Sequence, residues 1–265
     1  MGLETPERVS LELSRRCAKA CGFCYNASEP SARDEWHPDE VIGFARSLVR
    51  HGTKALSLGG GEPLQYEGLG AVFAALRGAV FLSMTSNGLL LDEQIARVSK
   101  LNPDKLHISI HYPARTTEVT RVIRQVRELR RLGIRSGVNL LVRRSELDEA
   151  SSARAQLWGA GIHNDAIMFL PMRGTDTPTP ADVARVAGAP FQSMTCLSAC
   201  GPSPRFCSVG ADKTVGHCSY TVARRRLPSL DAAGLVAALD GLGLSFCGDT
   251  TPLMPAQSLR RRGTS

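Results

Sequence analysis

Short apolar runs alternate with longer amphipathic stretches through the first two thirds of the chain. The short runs predict strands over 9–13, 55–58, 80–85, 105–110, 134–142 and 166–170. Between them, apolar positions recur at three- and four-residue spacing. That spacing predicts helices over 39–50, 67–77, 92–99, 117–132 and 146–159, with a weaker one over 180–187. Pro38 before Asp39 and Glu40 marks a helix start, where proline is tolerated and orphan N–H groups favour acids. In the fourth helix Val122, Val126 and Leu129 form one apolar stripe. Arg121, Arg124, Arg127, Arg130 and Arg131 take other faces, as expected of a solvated outer surface. Gly133 follows as a C-cap. Six strands separated by helical crossovers predict an α/β fold with a parallel sheet, because parallel neighbours need a long return connection.

Strand parity adds a candidate cavity. His107, Ser109 and His111 alternate with Leu106, Ile108 and Ile110. A period of two puts the polar set on one face and the apolar set on the other. Outer helices should cover the apolar face, so the polar face points inward. By the same parity Ser57, Ser83, Thr85, Asn139 and Glu12 face the interior. His111 is then a candidate substrate contact or proton donor near neutral pH, with a satisfied structural histidine as the plain alternative. Thr85-Ser86-Asn87-Gly88 closes the third strand, and a tight turn with positive φ accounts for it equally well. Arg173, after the sixth strand, is placed to pair with a carboxylate or phosphate.

The pattern changes after Gly174. Residues 175–180 are rich in Thr and Pro, a linker signature. From 191 onward five cysteines fall among frequent glycines and prolines with weak periodicity. The expected organisation is a main domain over 1–190, an appendage over 191–249 held by metal rather than by a large core, and a flexible basic tail over 250–265. The hydrophobic share of 43% and charged share of 22% exclude a disordered chain. No apolar run reaches the roughly 18 residues that span a membrane. The start lacks a secretory apolar stretch, so a cytoplasmic setting is expected. In that setting eight cysteines read as ligands or catalytic groups rather than disulfides. The net charge of +7 invites a nucleic-acid reading. The 27 arginines are scattered, however, and aromatics make up only 5%. Both argue against a nucleic-acid partner.

The strongest chemical signal is Cys17-x3-Cys21-x2-Cys24, directly after the first strand. Three thiolates from one short loop can hold three irons of a cubane cluster and leave the fourth iron open for chemistry. The alternative is a zinc site with His37 as fourth ligand, although the gap to His37 does not match the usual close ligand pairs. Gly60-Gly61-Glu62-Pro63 follows the second strand. Its glycines allow close backbone approach, and its carbonyls and carboxylate can accept from an ammonium. The alternative is a plain strand-to-helix turn.

Together these motifs, with aromatic Phe23 and Tyr25, resemble those of the radical S-adenosylmethionine (radical SAM) superfamily over roughly residues 8–175. The resemblance implies a partial (β/α)6 barrel of TIM type, in agreement with the strand count. It implies a 4Fe-4S cluster on Cys17, Cys21 and Cys24, with S-adenosylmethionine chelating the open iron by its amino and carboxylate groups. One electron then breaks the C–S bond, and a 5′-deoxyadenosyl radical abstracts a hydrogen from the substrate. Phe23, Tyr25, Gly60, Gly61, Glu62, Asn87, Ser109 and Asn139 become candidate cofactor contacts, and His111 a candidate catalytic residue. Many relatives with additional clusters carry Asp where this chain has His111. An electron donor such as flavodoxin or ferredoxin is implied as partner.

The second cysteine group is Cys196-x3-Cys200-x6-Cys207-x10-Cys218, with distant Cys247. Residues 206–218 read as a hairpin bracketed by cysteines. The stretch looks like the SPASM or twitch extensions of some radical SAM enzymes. Five cysteines suit one auxiliary 4Fe-4S cluster plus a spare, which is the twitch-like form. Cys207, Cys218 and Cys247 are the expected ligands, and Cys196 and Cys200 compete for the fourth place. A zinc ribbon is the alternative, since spacing does not separate zinc from iron–sulfur. The expected activity is hydrogen abstraction from a small polar molecule or peptide side chain, in a natural-product or peptide-modification pathway. The short stretch before Val9 leaves no room for a leader-binding domain there. Two other readings remain: an RNA-modifying enzyme using the same cofactor, supported by Arg224–Arg226 and Arg260–Arg262, and a non-catalytic metal-binding module.

Overall fold

The computed structural model describes residues 3–33, 35–191, 193–198 and 200–244, without the side chains of 193–195. Six strand–helix units follow in order: β1 (Arg8–Glu12), α1 (Pro38–Arg50), β2 (Ala55–Gly59), α2 (Leu69–Leu76), β3 (Phe81–Ser86), α3 (Ile95–Leu101), β4 (Lys105–Ile110), α4 (Thr116–Arg131), β5 (Ser136–Val142), α5 (Leu147–Gly159), β6 (Ile167–Pro171) and α6 (Pro180–Ala187). A short helix α7 (Ser193–Ser198), strands β7 (Phe206–Val209), β8 (Thr214–Gly216) and β9 (Arg225–Arg226), and helix α8 (Ala232–Leu239) complete the described chain. The sheet order is β6-β5-β4-β3-β2-β1-β7-β8-β9. β1 to β7 run parallel and β7 to β9 antiparallel. This is the parallel sheet that the strand count predicts, in the open six-unit barrel that the resemblance implies.

Local chemistry sets the element ends. α1 begins with Pro38, and the His37 side chain accepts from Asp39 N–H while Glu40 accepts from His37 N–H. This reciprocal cap satisfies two orphan donors. His37 is thereby a helix cap rather than a fourth zinc ligand. Thr179 and Asp182 cap α6 in the same way. β5 starts two residues later than the pattern predicts. Gly133 adopts φ +79° and Ile134 N–H returns to Leu129 O, so both residues close α4 before the strand begins.

The apolar strand faces meet the helices in one buried cluster that includes Leu11, Leu58, Met84, Ile108, Val122 and Leu157. Each such side chain contributes about 1.5–3 kcal/mol. The appendage expected after 190 is a continuation of the sheet. β7 pairs with β1, and Val209, Val215, Leu235 and Ala238 join the same apolar cluster. That part of the chain therefore packs by burial against the barrel. Three polar ties also bind it to the barrel: Trp36 N–H to Gly210 O, Lys213 to Glu40 and Arg15 to Asp212. The expected residues 250–265 of the tail, and Cys247, lie outside the described residues.

Candidate metal centre and cofactor cavity

The loop after β1 is built against the loop after β2. Gly61 N–H donates to Ser14 O at 2.6 Å and Glu62 N–H to Arg16 O at 2.8 Å. A Cβ on Gly61 would stand 2.1 Å from Arg16 O, and Gly60 has φ +106°. Both glycines are thus required by backbone packing that fixes the segment leading into Cys17. The Glu62 carboxylate is buried. It accepts from Leu64 N–H, the Ser86 hydroxyl and Asn87 N–H at 3.1, 2.8 and 2.8 Å. Through these donors it locks the β2 loop to the β3 turn. Burial raises its pKa and these hydrogen bonds oppose that.

Asn87 is held in turn. Its N–H meets Glu62, its Oδ1 accepts from Leu89 N–H at 2.8 Å, and its Nδ2 donates to Cys17 Sγ at 3.5 Å. Tyr112 hydrogen-bonds to Cys21. Cys17, Cys21 and Cys24 all carry free thiols and line one cavity of about 660 Å³, a size that takes cofactor-sized ligands. Among the described residues no three His, Cys, Asp or Glu side chains converge on a single ion. A cubane takes one thiolate at each ligated iron, so its donors are spaced apart. Three thiolates on one short loop fit a 4Fe-4S cluster.

The inward strand positions line the same cavity: Ser57, Ser83, Thr85, Ser109, Asn139 and His111. Asn139 Oδ1 accepts from His107 Nδ1 at 2.8 Å. His111 is nearly enclosed, with Phe23 5.9 Å away between ring centres. Burial, with Lys19 beside it, lowers its pKa to about 4. Near neutral pH the ring is thereby held neutral, with one ring N–H to donate and one nitrogen to accept. Its backbone N–H donates to Glu118 at 2.7 Å, and Lys19 donates to the same oxygen at 2.8 Å. The buried Lys19–Glu118 pair ties the cysteine loop to α4. Sequence reasoning missed it, although Glu118 lies four residues before Val122 on the apolar stripe, where a carboxylate signals a buried partner. Arg143, also missed, stacks over Phe23 at 4.4 Å.

Tyr25 and Tyr220 pack at 5.1 Å on the cavity wall toward the C-terminal strands. Glu12 points between them and the β7–β8 hairpin. One of its oxygens is bonded to Tyr25, while Oε1 is buried without a partner. Burial, only partly offset by Arg224, raises its pKa to about 7.

The second cysteine group is divided. Cys196 and Cys218 lie near enough to Cys200 to raise its pKa beyond the effect of burial, and Cys196 does the same to Cys218. Arg173 Nη2 donates to Cys196 Sγ at 2.8 Å, and Tyr220 N–H to Cys218 Sγ at 3.4 Å. Cys207, an expected ligand, is instead fully buried in the apolar core. Burial pushes its pKa up to about 12. Its strand partner is Val9, whose side chain lies in the same core. Arg224 and Arg225 form no free basic patch. They donate to Ser208 O and Thr214 O, and to Ala237 O and Asp240 O. Arg260–Arg262 lie outside the described residues.

A spaced three-thiol loop at the rim of an open parallel barrel, above a polar cavity, defines an iron–sulfur enzyme of the barrel class. The family model of the Radical SAM superfamily matches residues 11–150, and the chain belongs to that superfamily. It is similar to GTP 3',8-cyclase of Geobacter sulfurreducens, at 30% identity over 184 residues, covering 67% of this chain and 50% of that one. It is also similar to the probable GTP 3',8-cyclase of Methanocella arvoryzae, at 29% over 102 residues, covering 38% and 33%. The chain thus matches about a third to a half of the length of these curated relatives. Among solved structures, Streptococcus suis SuiB bound to S-adenosylmethionine matches with TM-score 0.64 and 12% identity, covering 84% of this chain and 63% of that one. The structure of anSMEcpe with bound AdoMet matches with TM-score 0.62 and 14% identity, covering 89% and 80%. Such identities show a shared fold. Among the described residues no helix is long and apolar enough to cross a membrane.

Proposed function

We propose that the chain cleaves S-adenosylmethionine reductively at a 4Fe-4S cluster held by Cys17, Cys21 and Cys24, and abstracts hydrogen from a small polar metabolite or peptide side chain. The observation that carries this reading is the placement of all three free thiols on the wall of one cavity that the polar strand faces also line. The bound pair supplies one-electron scission of a sulfonium carbon–sulfur bond and, from it, a carbon radical able to take an unactivated hydrogen. The chain's own residues hold and shield. Asn87 donates to Cys17 and sets its sulfur in place. Glu62 fixes the Asn87 turn. Phe23 and Arg143 stack into a lid over the His111 side of the cavity, where excluding water protects a reactive radical.

The extension over 191–249 is read as carrying a second 4Fe-4S cluster on Cys196, Cys200, Cys218 and Cys247, with Cys207 as the spare. It would accept the electron left when product forms, and a flavodoxin or ferredoxin would supply the first one in the cytoplasm. Substrates on both sides of the proposal find parallels. SuiB is solved with the precursor peptide SuiA, anSMEcpe with the Cp18Cys peptide, and the curated relatives are named for GTP. Anaerobic reconstitution tests the reading. About four irons at each occupied site and formation of 5′-deoxyadenosine with a strong reductant are expected. Zinc alone, or iron without cleavage, would overturn it.

A further inference from the structure

The lower half of the cavity carries polar groups that the cysteine chemistry does not use. Strand pairing sets Ser10 opposite Ser57, Ser57 opposite Ser83 and Ser83 opposite Lys105, so the four stand at one level. All four line the cavity. One level higher Thr85 stands opposite His107, again both in the wall. At about 3.3 Å per residue, Lys105 lies roughly 20 Å along β4 from the His111 end, where the cysteine loop closes over.

Three features give this floor a chemical preference. Lys105 is half-buried, and no carboxylate among the described residues reaches it. Burial and the nearby Arg135 charge both lower its pKa. His107 is 9% exposed. With its Nδ1 bonded to Asn139 Oδ1, which only accepts, the proton sits on Nδ1 and Nε2 is a bare acceptor without a partner. Finally, Lys19, Lys105 and Arg173 line the cavity, whereas no described Asp or Glu does. Lys19 is already neutralised by Glu118, and Arg173 donates to Cys196. Lys105 is left as an ammonium with no counter-ion, at one level with the hydroxyls of Ser10, Ser57 and Ser83, of which Ser83 already donates to Leu56 O; an anionic oxygen group completes that set.

We propose that the Ser10–Ser57–Ser83–Lys105 floor binds the phosphate or carboxylate end of the substrate, and that His107 Nε2 accepts a hydrogen bond from a hydroxyl or amine of the same molecule. The inference rests on the reading of this cavity as the reaction chamber. It narrows the substrate to an elongated anion. The donor group sits about 6–7 Å from the charged end, the spacing of alternate residues on one strand face. The reacting carbon lies further up, toward Ser109 and the cysteine loop.

The test titrates the reconstituted full-length protein with inorganic phosphate and separately with acetate, without S-adenosylmethionine or reductant. Phosphorus NMR line width and thermal unfolding report binding. Wild type should bind at least one of the two anions saturably, and Lys105→Gln should weaken that binding by about tenfold or more. The preferred anion tells a phosphorylated substrate from a carboxylated one. Arg124→Gln, on the outer face of α4, serves as a charge control and should bind as wild type does. If Lys105→Gln does not fold, Ser57→Val blocks the floor by bulk and should give the same loss. Unchanged affinity in the folded floor variants, or no saturable binding of either anion, overturns the proposal. Because these titrations need no cofactor cleavage, absence of 5′-deoxyadenosine would sink the proposed reaction and leave the anion floor standing, and the converse also holds.

Discussion

The two cysteine groups both open on an x3 pair, and they differ in overall spacing and in surroundings. The N-terminal group sits on a loop clamped by backbone. Gly60 and Gly61 pack on residues 12–16, Glu62 binds the Asn87 turn, and Asn87 reaches Cys17. All three of its thiols line the cavity. The C-terminal group spans helix α7, strand β7 and the segment after β8, and its members face different ways. Cys196, Cys200 and Cys218 gather behind Arg173 and Tyr220, while Cys207 is packed as a core hydrophobe. Spacing on one loop keeps cysteines together. Spacing across a strand leaves their fate to the strand's faces.

The largest expected effect tests that contrast at its centre. Cys17→Ala should remove the iron of the first group and lower 5′-deoxyadenosine formation by more than the 10–100-fold typical of lost support around a metal. Cys218→Ala should keep some uncoupled cleavage. Equal loss in both would erase the division of labour between the groups, and paired iron assays with product chromatography decide it.

Next comes Glu12, at the seam between the groups, facing Tyr25, Arg15, Asp212 and Arg224. Its folded pKa of about 7 against an ordinary 4.5 means that the unfolded chain binds fewer protons between those values. Its contribution is therefore intact below about pH 4.5 and lost as pH rises through 7. The full loss is roughly 3 kcal/mol at about 1.4 kcal/mol per pH unit. Glu12→Gln should thus gain stability relative to wild type from pH 5 to pH 8. Denaturant midpoints at the two pH values check this, and a constant difference would contradict it.

Glu62→Gln replaces an acceptor that serves three donors, and should cost about 1–3 kcal/mol. The N-terminal iron should also be held less tightly, with the C-terminal iron unaffected. Loss from both sites would mean that Glu62 supports the whole sheet rather than one loop. The smallest effect belongs to Cys207→Val, a core substitution of similar size that should cost under about 1.5 kcal/mol and leave total iron unchanged. A fall in iron would return Cys207 to the ligand set.

Much of the barrel was readable because its signals are periodic. The six strands and six helices follow apolar repeats, and Ser57, Ser83, Thr85 and Asn139 fall on the inner face by parity alone. Helix α8 escaped, since its sequence AAGLVAAL is apolar almost all round and offers no stripe. The internal partners of Glu62 could not be read from the sequence, because they come from segments distant along it: Ser86 and Asn87 lie more than twenty positions away.

Residue order alone settled the alternation of strand and helix, the inward and outward faces, and the tight cysteine loop. Each depends on neighbours within a turn or two of chain. Three-dimensional packing decided that Cys207 is core, that Arg224 is internal, and that Lys105 stands at the cavity floor without an acid beside it. Those outcomes hang on which strands lie side by side and at what register, and long-range pairing of that kind leaves no periodic trace in any one segment.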